Sequence, residues 1–235
     1  MNKMTKTTEI ESRIGVIFKD KLLLEQSLTH RSYLNENTLT KEHNERLEYL
    51  GDAVIEFLVS KFLFSKYPDH QEGELTSFRS ATVKTETLSQ VATDLGLGEF
   101  IRMSRGEENT GGREKPYILA NTFEALTGAI YLDRGIKEAE KFLKTHLFHL
   151  IETIVNKRLD IDPKTKFQEI AQELHKLTPT YEVIGETGPD HSKQFTMGVY
   201  IGREEYGRGI GASKQKAEEQ AAIKALKRIR RESKA

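Results

Sequence analysis

An all-helical domain followed by a small α+β domain of order α-β-β-β-α is the architecture this sequence predicts. Three observations carry it. Up to about residue 155, apolar residues recur at spacings of three and four with few strand-like alternations. Asp162-Pro163 then restarts the chain, a capping Asp ahead of a Pro at the first helical position, where no backbone N–H is needed. Beyond it, three runs of strand character are separated by Gly, Pro and Asp. The expected division of the 235 residues is a helical domain over 1–155, a linker over 156–161, the second domain over 162–231 and a tail over 232–235.

Asp20 is placed to cap a helix carrying Leu22, Leu23 and Leu28, and a longer amphipathic helix runs from about Asn44 to Phe64. Tyr67-Pro68 turns the chain, and a further helix is expected from near Leu75. Ser104 to Pro116, holding Gly106, Gly111 and Gly112, reads as an exposed loop. Asn121 to Leu132 is helical again, and Lys137 to Val155 reads as one more helix. In the second domain the first helix sets Phe167, Ile170, Ala171 and Leu174 on one stripe. Strands are expected over Thr180 to Gly185, Gln194 to Ile201 and Glu205 to Ile210. Ser213 caps a last helix carrying Ala217, Ala221, Ile223 and Leu226.

Lys plus Arg and Asp plus Glu both number 36, so net charge alone points to no polyanionic partner. The distribution is more informative. From Arg208 onward nine Lys and Arg face three Glu, which leaves six excess negatives on the rest of the chain: a basic C-terminal surface on a more acidic body. The absence of cysteine excludes disulfides, thiolate zinc sites and thiol catalysis, so a metal site must use oxygen or imidazole. The polar N-terminus MNKMTKTTEIESR, and Glu56 and Lys61 inside Ile55 to Phe64, read as neither secretory signal nor membrane span. A cytoplasmic protein without a membrane partner is expected.

The strongest chemical signal is His43-Asn-Glu-Arg-Leu-Glu-Tyr-Leu-Gly-Asp-Ala-Val. At about 100° per residue, Glu45, Glu48 and Asp52 fall within roughly 60° on one helix face, with Leu47, Leu50, Val54, Phe57 and Leu58 opposite, anchoring the helix in a core. Like charges on one face destabilise a helix, and a multivalent cation relieves them; hard oxygen ligands suit Mg²⁺, with Mn²⁺ as substitute. Three acids at this spacing also describe an ordinary solvated face. A second instance shifts the balance: Asn121 and Glu124 again share one face, with Phe123, Leu126 and Ile130 opposite, and two such helices side by side can hold one metal between them. Glu72 is a further candidate acid at a loop-to-helix junction, though on its own it reads better as a surface residue. Near the C-terminus, Lys214 and Lys216 beside the capping Ser213 fit a phosphate site at a helix start, and equally a solvated Lys/Glu helix.

Asn44-Glu-Arg-Leu-Glu-Tyr-Leu-Gly-Asp-Ala-Val resembles the signature of the ribonuclease III family. Leu28-Thr-His-Arg-Ser, Gly106-Glu-Glu with Gly111-Gly-Arg, and Ile118-Leu-Ala-Asn-Thr-Phe-Glu-Ala-Leu-Thr-Gly-Ala-Ile-Tyr-Leu-Asp support it. Asp162-Pro-Lys-Thr-Lys-Phe-Gln-Glu, Tyr181, Gly188-Pro-Asp-His and Gly211-Ala-Ser-Lys-Gln-Lys-Ala-Glu-Glu-Gln-Ala-Ala resemble a double-stranded-RNA-binding domain. The resemblance implies a homodimeric, metal-dependent endoribonuclease without a small-molecule cofactor. It would cut double-stranded RNA to 5′-phosphate ends with short 3′ overhangs, in processing of rRNA and some mRNA and tRNA precursors.

By the same resemblance, Glu48, Asp52, Asn121 and Glu124 form the metal-binding cluster, with Asp52 and Glu124 the essential catalytic pair. Glu45 and Glu72 fall nearer the substrate. Thr165, Gln168 and Glu169 enter one minor groove, the His191 loop the next, and Lys214 and Lys216 grip the phosphates between. His30 and Ser32 read as helix packing and capping. Two positions depart from the pattern: Asn121, commonly Asp, which costs the site one negative charge and weakens metal binding, and Gln215, where a second basic residue is common. Asn121 also defines an alternative, a catalytically impaired double-stranded-RNA-binding regulator. A small-molecule metal phosphatase would leave the RNA-docking domain without a use.

Overall fold

Side-chain caps set several of the helix starts of the first unit. In the computed structural model, which describes residues 3–37, 42–189 and 192–232, α1 spans Lys3–Ile14. Asp20 then accepts the Leu22 N–H to open α2, Lys21–Ser27. A 3₁₀ turn at Arg31–Asn35 is capped by the His30 ring. The 22-residue α3, Glu45–Lys66, follows. Helix α4, Glu72–Val83, starts three residues before Leu75, because Gln71 and Glu74 close a reciprocal capping box there. Then come α5, Thr85–Asp94, and α7, Pro116–Arg134, with a Pro in its first turn.

Between α5 and α7 the expected exposed loop is partly helical. Ser104 Oγ accepts the Glu107 N–H and opens a short α6, Arg105–Asn109, and a 3₁₀ turn follows at Gly112–Glu114. A Ser cap and a left-handed Gly111 are helix boundary signals as much as loop signals. The expected single helix over 137–155 is two, α8 at Ile136–His146 and α9 at Phe148–Lys157. The break at Leu147 lets Phe142 and Leu143 on one side, and Phe148 and Ile151 on the other, all bury in the same core. Because α9 runs on to Lys157, the first two residues of the expected linker are helical.

Helix α7 is the centre of this core. From Ile118 to Ile130 every residue is buried except Asn121 and Glu124. Helix α3 lies against it, and Gly51 and Gly128 are the contact: a Cβ on either would stand 3.0 Å from the other's backbone nitrogen. Such close approach is one of the few reasons to keep glycine inside a helix, where it costs about 1 kcal/mol against alanine. Two residues expected in cores are not there. Phe57 is 59% exposed and shares an outward stripe of α3 with Tyr49 and Phe64, at 83% and 76%. In the second unit Leu174 is 60% exposed, since only Phe167 and Ala171 of its stripe are buried.

The chain divides into Met1–Asp160 and Ile161–Ala235. In the latter, Asp162 accepts the Lys164 and Thr165 N–H groups and opens α10, Pro163–His175. An antiparallel sheet follows in the order β1, β2, β3, with strands Thr180–Thr187, Gln194–Ile201 and Glu204–Gly211. The last helix, α11, spans Lys214–Glu232, its start capped by Ser213. The order is α-β-β-β-α. Phe167, Val199, Tyr206, Ala221 and Ala225 fill its core. Of the expected tail only Glu232 is described, as the last residue of α11; residues 233–235 and His191 lie outside the described residues.

Candidate functional site

Of the α3 acids, Glu48 is half-buried, while Glu45 and Asp52 are exposed. Glu48 and Asp52 continue along the helix, at spacings of three and four, into Ile55 and Val59, both buried. Their stripe therefore borders the face that packs on α7, where Asn121 and Glu124 are the two positions left unburied in the helix interior. The structure brings these four together. Asn121 and Glu48 share a side-chain hydrogen bond, which opposes the rise that burial and the charges of Glu45 and Asp52 impose on the Glu48 carboxyl. Burial, then the charges of Asp52 and Glu48, push the Glu124 carboxyl up to about 8. Among the described residues no three His, Asp or Glu side chains close in tightly enough to chelate an ion.

Glu45 lies at the edge of this cluster, 3.1 Å from the Arg31 guanidinium and 3.8 Å from the His43 ring. Glu72 is not part of it: it is exposed at the first position of α4, accepts a hydrogen bond from Thr76 at 3.3 Å, and is not among the charges acting on Glu48 or Glu124. A cavity of about 120 Å³ opens beside the cluster, lined by Glu45, Glu48 and Asn121 together with His30, Asn44 and Tyr117. Tyr117 precedes Asn121 by one helical turn, and that spacing was the signal that could have found it. His30 caps its 3₁₀ turn, as expected of it, and lines the cavity as well; burial lowers its pKa. Gly51 and Gly128 were legible only as glycines inside apolar helices.

In the second unit Thr165, Gln168 and Glu169 are exposed on the first two turns of α10. Thr165 and Gln168 share a polar cavity of about 370 Å³ with Tyr181 and Gln215. Lys214 and Lys216 are exposed at the start of α11. The Lys214 ammonium lies 5.7 Å from the Phe195 ring centroid and that of Lys193 5.9 Å from it, so Lys193 joins this basic edge.

Comparison with known proteins bears on both units. The family described as "Ribonuclease-III-like" matches residues 20–151, and "Double-stranded RNA binding motif" matches residues 163–229. The protein named Ribonuclease 3 from Desulforamulus reducens is 46% identical over 221 residues, 94% of this chain and 90% of that one. Ribonuclease 3 from Roseiflexus sp. is 42% identical over 221 residues, covering 93% of each. Among solved structures, the nuclease domain of ribonuclease III from Campylobacter jejuni aligns at TM-score 0.56 and 41% identity, over 62% of this chain and 95% of its own. With one family profile matched over more than half its length and relatives above 40% identical across nine-tenths of it, the chain belongs to the ribonuclease III family.

Proposed function

We infer that this chain is an endoribonuclease that hydrolyses the backbone of double-stranded RNA, with a divalent cation held by Glu48, Asp52, Asn121 and Glu124. The observation that carries the site assignment is the meeting of two carboxylates from α3 with an amide and a carboxylate from α7, where burial, and then the charges of Asp52 and Glu48, raise Glu124 to about 8. The donors are all hard oxygens, which fits Mg²⁺, or Mn²⁺ in its place. Such an ion, when bound, supplies an activated water and stabilises charge on the phosphate.

The chain's own residues hold the geometry. The Asn121 amide favours the charged form of Glu48 against the rise that burial imposes. The buried interior of α7 leaves Glu124 little freedom to move, and the Gly51–Gly128 contact sets the distance between the two helices. Glu45 and Glu72 sit nearer the substrate in this reading. Thr165, Gln168, Glu169, His191, Lys214 and Lys216 dock the duplex by its shape and 2′-hydroxyls. No helix among the described residues is long and apolar enough to cross a membrane, and a cytoplasmic enzyme is the reading we adopt.

We also propose a homodimer. The Campylobacter jejuni nuclease domain is described as structurally flexible in a region involved in dimer formation. Here the outward stripe of Tyr49, Phe57 and Phe64 on α3 offers an apolar surface for a second copy. Next to it, a cavity of about 760 Å³ is lined by Leu23, Leu47, Tyr49, Leu50 and Leu132.

The test is incubation of the purified protein with a long RNA duplex, with and without Mg²⁺. Metal-dependent appearance of short products with 5′-phosphates and 3′ overhangs is expected. Binding without cleavage across millimolar Mg²⁺ and Mn²⁺ would sink the reading and leave the impaired regulator in its place. The retention of every other acid does not favour that alternative.

A further inference from the structure

His30 and Ser32 carry more than the cap that sequence assigns them. The Ser104 N–H donates to Ser32 Oγ at 3.1 Å, so the Ser32 hydroxyl hydrogen is left to donate onward to His30 Nδ1, 2.8 Å away. The Ser32 backbone N–H also donates to Nδ1, at 3.3 Å. With two donors aimed at it, Nδ1 is an acceptor, and the imidazole proton resides on Nε2. The ring is held from both sides of the chain: the His30 N–H donates to the Arg102 carbonyl at 2.9 Å, and the Asn44 N–H to the Thr29 carbonyl at 2.9 Å.

The same ring lines the cavity of about 120 Å³ shared with Glu45, Glu48 and Asn121, space for about four waters at ~30 Å³ each. Its wall thus offers an imidazole N–H donor beside carboxylate acceptors. A phosphate oxygen is an acceptor only, so it can take the imidazole N–H but offers no donor to a carboxylate. A ribose 2′-hydroxyl does both jobs, accepting from an N–H and donating to a carboxylate.

We propose that His30 is a substrate-contacting residue whose Nε2–H, locked by the Ser104–Ser32 relay, hydrogen-bonds a 2′-hydroxyl of the RNA strand beside the cleavage site, so that the nuclease unit itself distinguishes RNA from DNA. This rests on the endoribonuclease reading above.

The experiment pairs two isosteric variants with single-atom changes in the substrate. His30→Asn keeps an acceptor near Nδ1, and with it the cap, but loses the donor; His30→Gln keeps a donor near Nε2 and loses the cap. Single-turnover cleavage is measured on an all-ribo duplex and on duplexes with one 2′-deoxy nucleotide scanned through the positions flanking the cut. Wild type should lose about three- to tenfold at one position, the worth of one neutral hydrogen bond. His30→Asn should show that loss already on the all-ribo duplex and be indifferent to the deoxy substitution, while His30→Gln retains most of the wild-type rate.

The proposal is overturned if His30→Asn cleaves like wild type, if its loss multiplies with that of the deoxy nucleotide, if His30→Gln falls as far as His30→Asn, or if wild type responds to no deoxy position. Each of these outcomes leaves the endoribonuclease reading standing. Failure of wild type to cut the all-ribo duplex in any divalent ion overturns both.

Discussion

Gly51 and Gly128 meet backbone to backbone, and that contact sets how closely α3 and α7 can present their acids to each other. A Cβ on Gly51 would overlap the Glu124 carbonyl oxygen, and one on Gly128 the Leu47 carbonyl oxygen. These are backbone atoms of two packed helices, so neither can step aside. Gly51→Ala should destabilise the protein by about 3 kcal/mol or more, read by denaturant unfolding. A stability within 1 kcal/mol of wild type, a margin of about one buried methylene, would show that the helices can part, and the contact would lose its structural role.

Glu124 makes the metal-free protein sensitive to pH. Folded, it holds its proton up to about 8; unfolded, it releases it near the ordinary 4.5. Between those values the folded state binds more protons, so stability is greatest below the lower one and falls as pH rises through the window. Thermal melts in a chelator from about pH 5 to about pH 8 should show that decline, and Glu124→Gln should flatten it. The same variant should lose roughly a thousandfold in cleavage rate while binding duplex RNA as wild type does.

Asn121→Asp adds one negative charge to the cluster and removes the amide that donates to Glu48. Metal affinity should rise: the Mg²⁺ concentration for half-maximal cleavage is expected to fall about tenfold. In the absence of metal the added repulsion should lower the melting temperature. A Mg²⁺ titration that superimposes on wild type would exclude position 121 from the metal's surroundings.

Tyr49→Asp combined with Phe57→Asp places two charges on the apolar stripe of α3. If that stripe joins two copies, the monomer–dimer equilibrium should shift toward monomer by roughly a hundredfold or more, measured by sedimentation. An unchanged sedimentation profile would move the dimer contact elsewhere.

Lys214→Ala and Lys216→Ala should each weaken duplex binding and reduce the slope of log affinity against log salt by about one. Both changes are expected irrespective of base sequence. A salt slope that does not change would remove these lysines from the phosphate contacts.

Much of the fold can be read along the chain because its signals are local. The caps at Asp20, Asp162 and Ser213 each need only a side chain and the next backbone N–H groups, and all three are present. The α-β-β-β-α order follows from periodicity and turn residues. Sequence and structure part where two structures share one local signal. Ser and Gly around 104–116 suit a loop or short capped helices, and the apolar run over 137–155 suits one helix or two until the core decides where its side chains must go. Phe57 falls on the core side of a helical wheel yet lies exposed, because the wheel gives an angle but not the neighbour that lies at it.

By itself, then, the sequence determined which residue types are available and where they fall along the chain: Glu48 and Asp52 one turn apart, Asn121 and Glu124 three apart, His30 two before Ser32. Only the tertiary structure decided that α7 is submerged with Asn121 and Glu124 as its two unburied interior positions, that Gly51 and Gly128 let α3 reach it, and that His30 lines the same cavity as Glu48 and Asn121. The physical reason is range. Capping and periodicity act within a turn or two of chain, whereas burial, charge coupling and a fixed tautomer depend on distances between segments seventy or more residues apart, which no local pattern encodes.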